Sequence, residues 1–290
     1  MVNITIHERY NNDPEKLFNY VNQKLWDKAY SSEIEKKRFK KWFMPRIIKH
    51  PLTFDTILLW HCYKLSQKIE KNNDATIVIT GSTGSGKSTL STQIICWIIP
   101  DFDRKNIITK LIDYVRIYRD RAVNIRNNMR LSGDVYRPPS DGLILDEGNE
   151  IRSDESMKKG NRQFRRIFTI QRFCKMLLII NIPFWHHLDK ILRNSDSTDL
   201  LIHVLERGKY KGIIKNGIDT VEERNKKSVN RVTLSTKFFW HGYFGSRMPD
   251  HIGQYNYETA KIDSAIEEMD SIYNDLKGDN GKTKGGINEN

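Results

Sequence analysis

Residues 75–89 read ATIVITGSTGSGKST, and the fold turns on them. Residues 76–80, TIVIT, are rich in β-branched side chains, and their apolar run suits a strand covered on both faces. The next eight, Gly81-Ser82-Thr83-Gly84-Ser85-Gly86-Lys87-Ser88, fill the spacing G-x-x-x-x-G-K-[ST] at every fixed position. After Thr89, the residues Leu90, Ile94, Trp97 and Ile98 recur at helical spacing until Pro100. Strand, glycine-rich loop and helix, in that order, make a phosphate-binding loop. The glycines let backbone N–H groups curl around phosphate oxygens with no Cβ in the way. The helix N-terminus adds the positive end of its dipole. Lys87 reaches the β- and γ-phosphates, and the Ser88 hydroxyl ligates Mg²⁺. Gly81, Ser82, Thr83, Gly84, Ser85, Gly86, Lys87, Ser88 and Thr89 are therefore the expected contacts for ATP. A merely flexible glycine turn would match the loop but not its flanks.

Outward from the loop, short apolar runs alternate with longer helical stretches. Strands are expected at 106–109, 142–145 and 176–181, and helices at 87–98, 112–129, 160–174 and 184–193. A late hairpin, 200–204 with 211–214, brackets Arg207-Gly208-Lys209-Tyr210. The alternation predicts an α/β fold of the P-loop NTPase type: a parallel-rich central sheet flanked by helices, with an N-terminal helical extension. Residues 1–74 form that basic, helical region, with helices expected at 14–30 and 54–69. Residues 75–250 form the ATPase domain and 251–277 a region with an amphipathic C-terminal helix. The Gly/Asn/Lys-rich stretch 278–290 has the composition of a disordered tail. The aromatic and basic stretch 229–245 shows no assignable period.

Leu143-Ile144-Leu145-Asp146-Glu147 is an apolar strand ending in two carboxylates. A P-loop enzyme needs a carboxylate at a neighbouring strand end to hold Mg²⁺, and Asp146 is placed for that. Hydrolysis also needs a group that orients and deprotonates water, a role that suits Glu147. The bland alternative for both is a pair of solvated turn carboxylates.

These motifs, with the basic stretch after them and the LIIN strand, resemble the additional-strand glutamate class of P-loop ATPases. Within it, the order is similar to the HerA–FtsK group and to the zonular-occludens-toxin-like ATPases of phages, plasmids and archaeal elements. The resemblance covers roughly residues 75–205. It implies that Asn181, at the end of the fourth strand, contacts the γ-phosphate or the attacking water; a plain turn-forming Asn before Ile182-Pro183 is the competing reading, and Gln171 a weaker alternative. Phage assembly members of the toxin-like group usually carry a membrane-spanning helix. None is readable here, which argues against a virion-extrusion role.

The chain of 290 residues carries 48 Lys+Arg against 36 Asp+Glu, a net charge of +12. Such an excess points to a polyanionic partner, nucleic acid or an anionic membrane surface. Two stretches concentrate it. Lys36, Lys37, Arg38, Lys40, Lys41, Arg46 and Lys49 interleave with Phe39, Trp42 and Phe43. Lys158, Lys159, Arg162, Arg165, Arg166, Arg172 and Lys175 run with no acid among them. The second set suits either nucleic-acid phosphates or an arginine finger reaching a neighbouring subunit's γ-phosphate. Arg193 is another finger candidate, and a homo-oligomer with shared sites would use either. Cys62, Cys96 and Cys174 have neither disulfide-framework nor zinc spacing. Adjacent His186 and His187 would point about 100° apart on a helix and chelate poorly. No apolar run reaches the roughly 20 residues of a membrane span and the N-terminus lacks a signal-peptide core, so a cytoplasmic protein is expected, meeting membranes only through a partner. The expected function is an ATP-driven motor or switch acting on nucleic acid. A toxin-like ATPase acting on protein is the first alternative. A small-molecule kinase is the second, disfavoured because a base beside Asp146 selects water as acceptor and no lid segment is evident.

Overall fold

The computed structural model describes residues 13–29, 32–71, 73–132, 140–146, 168, 174–219, 239–253, 257–259, 262–263, 266 and 269–270. The loop strand β1 (Ala75–Thr80) and the helix α4 (Lys87–Ile98) stand at the centre. Before them come α1 (Pro14–Ala29), α2 (Glu33–Lys49) and α3 (Thr56–Glu70). After them come β2 (Ile107–Ile108), α5 (Leu111–Ser132), β3 (Asp141–Leu145), β4 (Met176–Ile182), β5 (Leu200–Glu206), β6 (Lys209–Ile214) and β7 (Phe239–Tyr243).

The strands form one mixed, mostly parallel sheet in the order β2-β3-β4-β1-β5-β6-β7. The first five run parallel, and β6 and β7 close one edge antiparallel. An additional strand, β4, thus separates the loop strand from the carboxylate strand β3. Every residue of β1 and β4 is buried, which is why both read as unbroken apolar runs. Side chains alternate across the sheet. Val78, Leu143, Leu145, Leu178, Ile180 and Leu201 join Tyr114 and Tyr118 of α5 in one core. α4 packs on the other face. There a Cβ on Gly142 would fall 2.7 Å from Ile95 Cδ1, so glycine lets helix and sheet approach closely.

The basic stretch 36–49 is the helix α2, which the charge pattern concealed. Its Phe39, Trp42, Phe43 and Ile47 recur at helical spacing and are buried. With Phe18, Tyr63 and Trp97 they build an aromatic cluster that joins α1, α2 and α3 to α4. Arg46 lies inside this layer. Its guanidinium donates to the carbonyls of Trp97 (2.8 Å) and Trp42 (2.9 Å), so it caps the last turn of α4. Burial pushes its pKa down to about 10.

The helix expected at 184–193 does not form. Trp185–His187 makes one 3₁₀ turn and the chain then proceeds through turns. Short polar side chains there bond local backbone: Asp189 accepts from the Ile191 N–H, and Asn194 from those of Asp196 and Ser197. Leu188 and Leu192 still reach the core, so helical spacing was met without a helix. The strand expected at 106–109 shortens to two residues after a 3₁₀ turn. The hairpin turn is Arg207-Gly208 alone, with Gly208 at φ 88°. β7 occupies part of 229–245. Of the helix expected at 160–174, only Phe168 and Cys174 lie within the described residues.

Residues Met1–Pro249 form one compact unit and Asp250–Asn290 a second. In the second, the described residues from 257 to 270 are helical, where the C-terminal helix is expected. The expected tail, 278–290, lies outside the described residues. Among the described residues, no helix is long and apolar enough to cross a membrane.

Candidate nucleotide site

The loop 81–86 hangs between β1 and α4. Gly86 is the α4 N-cap at φ 98°, a left-handed conformation that a side chain resists. At Gly81 a Cβ would lie 2.7 Å from the Val204 carbonyl oxygen. The Gly81 N–H donates to the Pro183 carbonyl (3.1 Å), tying the loop to the end of β4. Ser82, Thr83 and Gly84 are exposed at the crest, whereas Ser85 is buried. α4 has no acid in its first turn and no side-chain cap, so its first N–H groups and dipole face the loop. Lys87 Nζ donates to the carbonyls of Gly81 (2.8 Å) and Ser82 (2.9 Å), which holds the ammonium over the loop.

Below the loop lies a cluster drawn from three elements. Asp146, at the tip of β3, is 1% exposed, and its N–H donates to the Ile108 carbonyl at 2.8 Å. Ser88 Oγ donates to both Asp146 carboxylate oxygens, at 2.9 and 3.1 Å. Asn181 Nδ2 donates to Asp146 Oδ1 at 2.7 Å and to Ser91 Oγ at 3.0 Å. Ser91 Oγ donates in turn to the Ser88 carbonyl at 2.9 Å. Alternation along β4 puts Asn181 on the α4 side of the sheet, level with Asp146. Asn181 Oδ1 and Ser85 Oγ are buried without a hydrogen-bond partner among the described residues, which is costly unless a ligand or water fills the gap. Hydroxyl and carboxylate oxygens within 3.1 Å of each other form a hard, all-oxygen donor pair of the kind Mg²⁺ takes.

Ser91 was missed in the sequence. Its signal is a hydroxyl three residues after Ser88 on the apolar, buried side of a helix. Glu147, Gln171, Lys158, Lys159, Arg162, Arg165, Arg166 and Arg172 lie outside the described residues. Lys175 precedes β4, at the edge of the sheet remote from the loop. Arg193 also lies away from its own chain's loop: nearby Ile191 lines a cavity with Asp74 and Thr76 at the start of β1. Thr76 is five residues before Gly81, roughly 16 Å from the loop at about 3.3 Å per residue. His186 stacks on Phe184 and His187 meets the same ring edge-on, and no cluster of three metal-ligating side chains occurs among the described residues.

The cations of α2 divide. Lys36, Lys40 and Lys49 pair with Glu33, Glu15 and Asp101, and Arg46 is internal. Lys37, Arg38 and Lys41 are exposed. They share one face of the helix and make no ion pair or hydrogen bond among the described residues.

A glycine loop between a buried strand and a helix, with a lysine and serine opening that helix and a carboxylate two strands away, defines the P-loop NTPase fold. No protein-family model matches the sequence, and no curated protein matches it. Among solved structures, the chain is similar to EssC (ATPases 2 and 3) from Geobacillus thermodenitrificans, with 11% identity over 46% of this chain and 32% of that one, at a TM-score of 0.33. It is similar to the genome packaging NTPase B204 from Sulfolobus turreted icosahedral virus 2, solved with ATP-gammaS, with 10% identity over 50% of this chain and 94% of that one, at 0.34. It is similar to the N-terminal domain of zonular occludens toxin from Neisseria meningitidis, with 13% identity over 52% and 91% of the two chains, at 0.31. The chain thus spans about a third of the EssC structure.

Proposed function

We propose that this chain binds Mg-ATP and hydrolyses it as a subunit of an oligomeric motor or switch acting on nucleic acid, in the cytoplasm and encoded by a mobile element. The observation that carries the ATPase reading is the Ser88–Asp146–Asn181 cluster beneath a complete phosphate loop. The loop N–H groups and Lys87 bind the phosphates, with Lys87 exchanging two loop carbonyls for phosphate oxygens. Ser88 and Asp146 would hold Mg²⁺, which would supply positive charge that offsets that of the phosphates. Asn181 fixes the Asp146 carboxylate through Nδ2 and offers Oδ1 to the attacking water. Glu147 accepts that water's proton. Arg193, or one of Arg165 and Arg166, reaches the γ-phosphate of a neighbouring copy.

The net charge and the exposed Lys37, Arg38 and Lys41 support nucleic acid as the partner. A protein partner is the second reading, favoured by Ile34 and Ile48, 64% and 74% exposed on the same face of α2. ATPase activity with and without single- and double-stranded DNA, RNA and anionic vesicles separates the two. Stimulation by a nucleic acid is expected. The triple change of Lys37, Arg38 and Lys41 to Gln should shallow the log–log salt dependence of binding by up to about 0.9 for each phosphate no longer neutralised, leaving basal hydrolysis intact. Salt-insensitive or absent binding to every nucleic acid would favour the protein-directed reading.

A further inference from the structure

Because β5 runs parallel to β1, its C-terminal end emerges at the same edge of the sheet as the phosphate loop. The β5–β6 turn, Arg207-Gly208, therefore stands beside that loop. The approach is close: the Val204 carbonyl of β5 nearly touches the Cβ position of Gly81. The turn is fixed from its far side as well. The Phe244 N–H donates to the Gly208 carbonyl at 3.0 Å, and Phe244, 6% exposed, bridges to Phe54. The Phe244 ring sits 3.2 Å from the point where a Gly86 Cβ would lie.

Arg207 leans over the same point, with Cγ 3.9 Å from it. Beyond Cγ the side chain extends about 4 Å further to its guanidinium nitrogens, enough to cross the mouth of the loop. The residue is exposed, and its side chain makes no hydrogen bond or ion pair among the described residues. The adjacent acid, Glu206, pairs instead with Lys209 across the turn. A planar five-donor cation without an acidic partner stands over a loop built to receive an anion.

We infer that Arg207 is a nucleotide-phosphate ligand supplied in cis by the β5–β6 turn. Its guanidinium donates to a phosphate oxygen of the nucleotide in its own chain's loop. The inference rests on the Mg-ATP reading above and adds a ligand outside the loop motif. It also links nucleotide occupancy to the antiparallel edge of the sheet.

Binding of a fluorescent ATP analogue with Mg²⁺ to the full chain tests it, using Arg207→Ala, Arg207→Lys and Lys87→Ala beside the wild type. Arg207→Ala should weaken binding about 10- to 100-fold, as loss of a charge-assisted hydrogen bond does, with an unchanged melting temperature. Arg207→Lys, which keeps the charge but not the fork, should fall between. Mixing Arg207→Ala with Lys87→Ala chains should restore no hydrolysis, because the arginine and the intact loop must share a chain. Wild-type affinity in both Arg207 variants, while Lys87→Ala loses affinity, would overturn the role of Arg207 alone; restored hydrolysis in the mixture would overturn its action in cis. If the wild type fails to bind, or Lys87→Ala binds as well as it does, the Mg-ATP reading itself fails.

Discussion

Two carboxylates, Asp55 half-buried and Asp146 fully buried, sit in polar networks that differ in whether their hydrogen bonds close. Asp55, ahead of α3, caps that helix by accepting from the Ile57 and Leu58 N–H groups, and its other oxygen accepts from the Tyr210 hydroxyl. Tyr210 accepts from Trp240 Nε1 at 3.2 Å, and His61 stacks on Trp240. Gly242 leaves the space that Asp55 and Tyr210 fill. That network is closed: it ties α3 to β6 and β7, and its donors and acceptors meet one another. Asp146 is more deeply buried, at 1% exposed, and its cluster keeps an Asn181 oxygen and the Ser85 hydroxyl without partners among the described residues. Spare hydrogen-bonding capacity at a buried site is a cost to folding that a ligand can offset. The closed network holds the molecule together; the open one is built to receive something.

Substitutions sharpen that contrast by moving one property and not the other. The largest effect is expected at the open site. Glu147→Gln should keep ATP binding and lower turnover by roughly 10²- to 10⁴-fold, the range of a lost general base, with an unchanged melting temperature. Single-turnover hydrolysis at the wild-type rate would move the base elsewhere. At the closed site, Asp55→Ala should cost about 2–4 kcal/mol, from a lost cap and an orphaned buried hydroxyl, while nucleotide affinity in the folded protein stays the same. Urea unfolding reads the first and analogue binding the second.

A smaller effect comes from pH. Burial pushes the His61 pKa from its ordinary 6.5 down to about 4, so the folded protein resists a proton that the unfolded chain takes up. Stability is therefore full above about pH 6.5 and falls as the pH drops toward 4, by about 2–3 kcal/mol. Asp55, whose pKa burial raises, acts in the opposite sense within the carboxylate range and returns part of this at the acid end. Replacing His61 with Phe should flatten the slope between pH 6.5 and 4.5. An unchanged slope would remove His61 from the account.

The two networks also differ in how far the sequence announced them. Loop, strand and carboxylate were legible because phosphate chemistry dictates residue types at fixed local spacing, and Lys87, Ser88 and Asp146 stand where the motifs put them. Asn181 was legible through the family resemblance and as the polar end of an apolar strand, but its bond to Asp146 depends on the register of β3 with β4. The Asp55–Tyr210 bond joins residues 155 apart, and nothing in either neighbourhood marks it. β7 went unread because an edge strand with one buried residue in five carries little periodicity. α2 went unread because cations on its outer face masked the aromatic spacing of its inner one. The segment 184–193 misled in the opposite direction, since Leu188 and Leu192 satisfy helical spacing while Asp189 and Asn194 turn the backbone aside.

The central claim is that the open network is a Mg-ATP site. Its most direct test is the melting temperature of the wild type and of Lys87→Ala, each with and without saturating Mg-ATPγS. A ligand at a hundred times its Kd adds about 2.7 kcal/mol to folding stability, so the wild type should melt several degrees higher with Mg-ATPγS, and Lys87→Ala, equally stable alone, should show little or no rise. An equal rise in both proteins, or none in the wild type, would contradict the assignment.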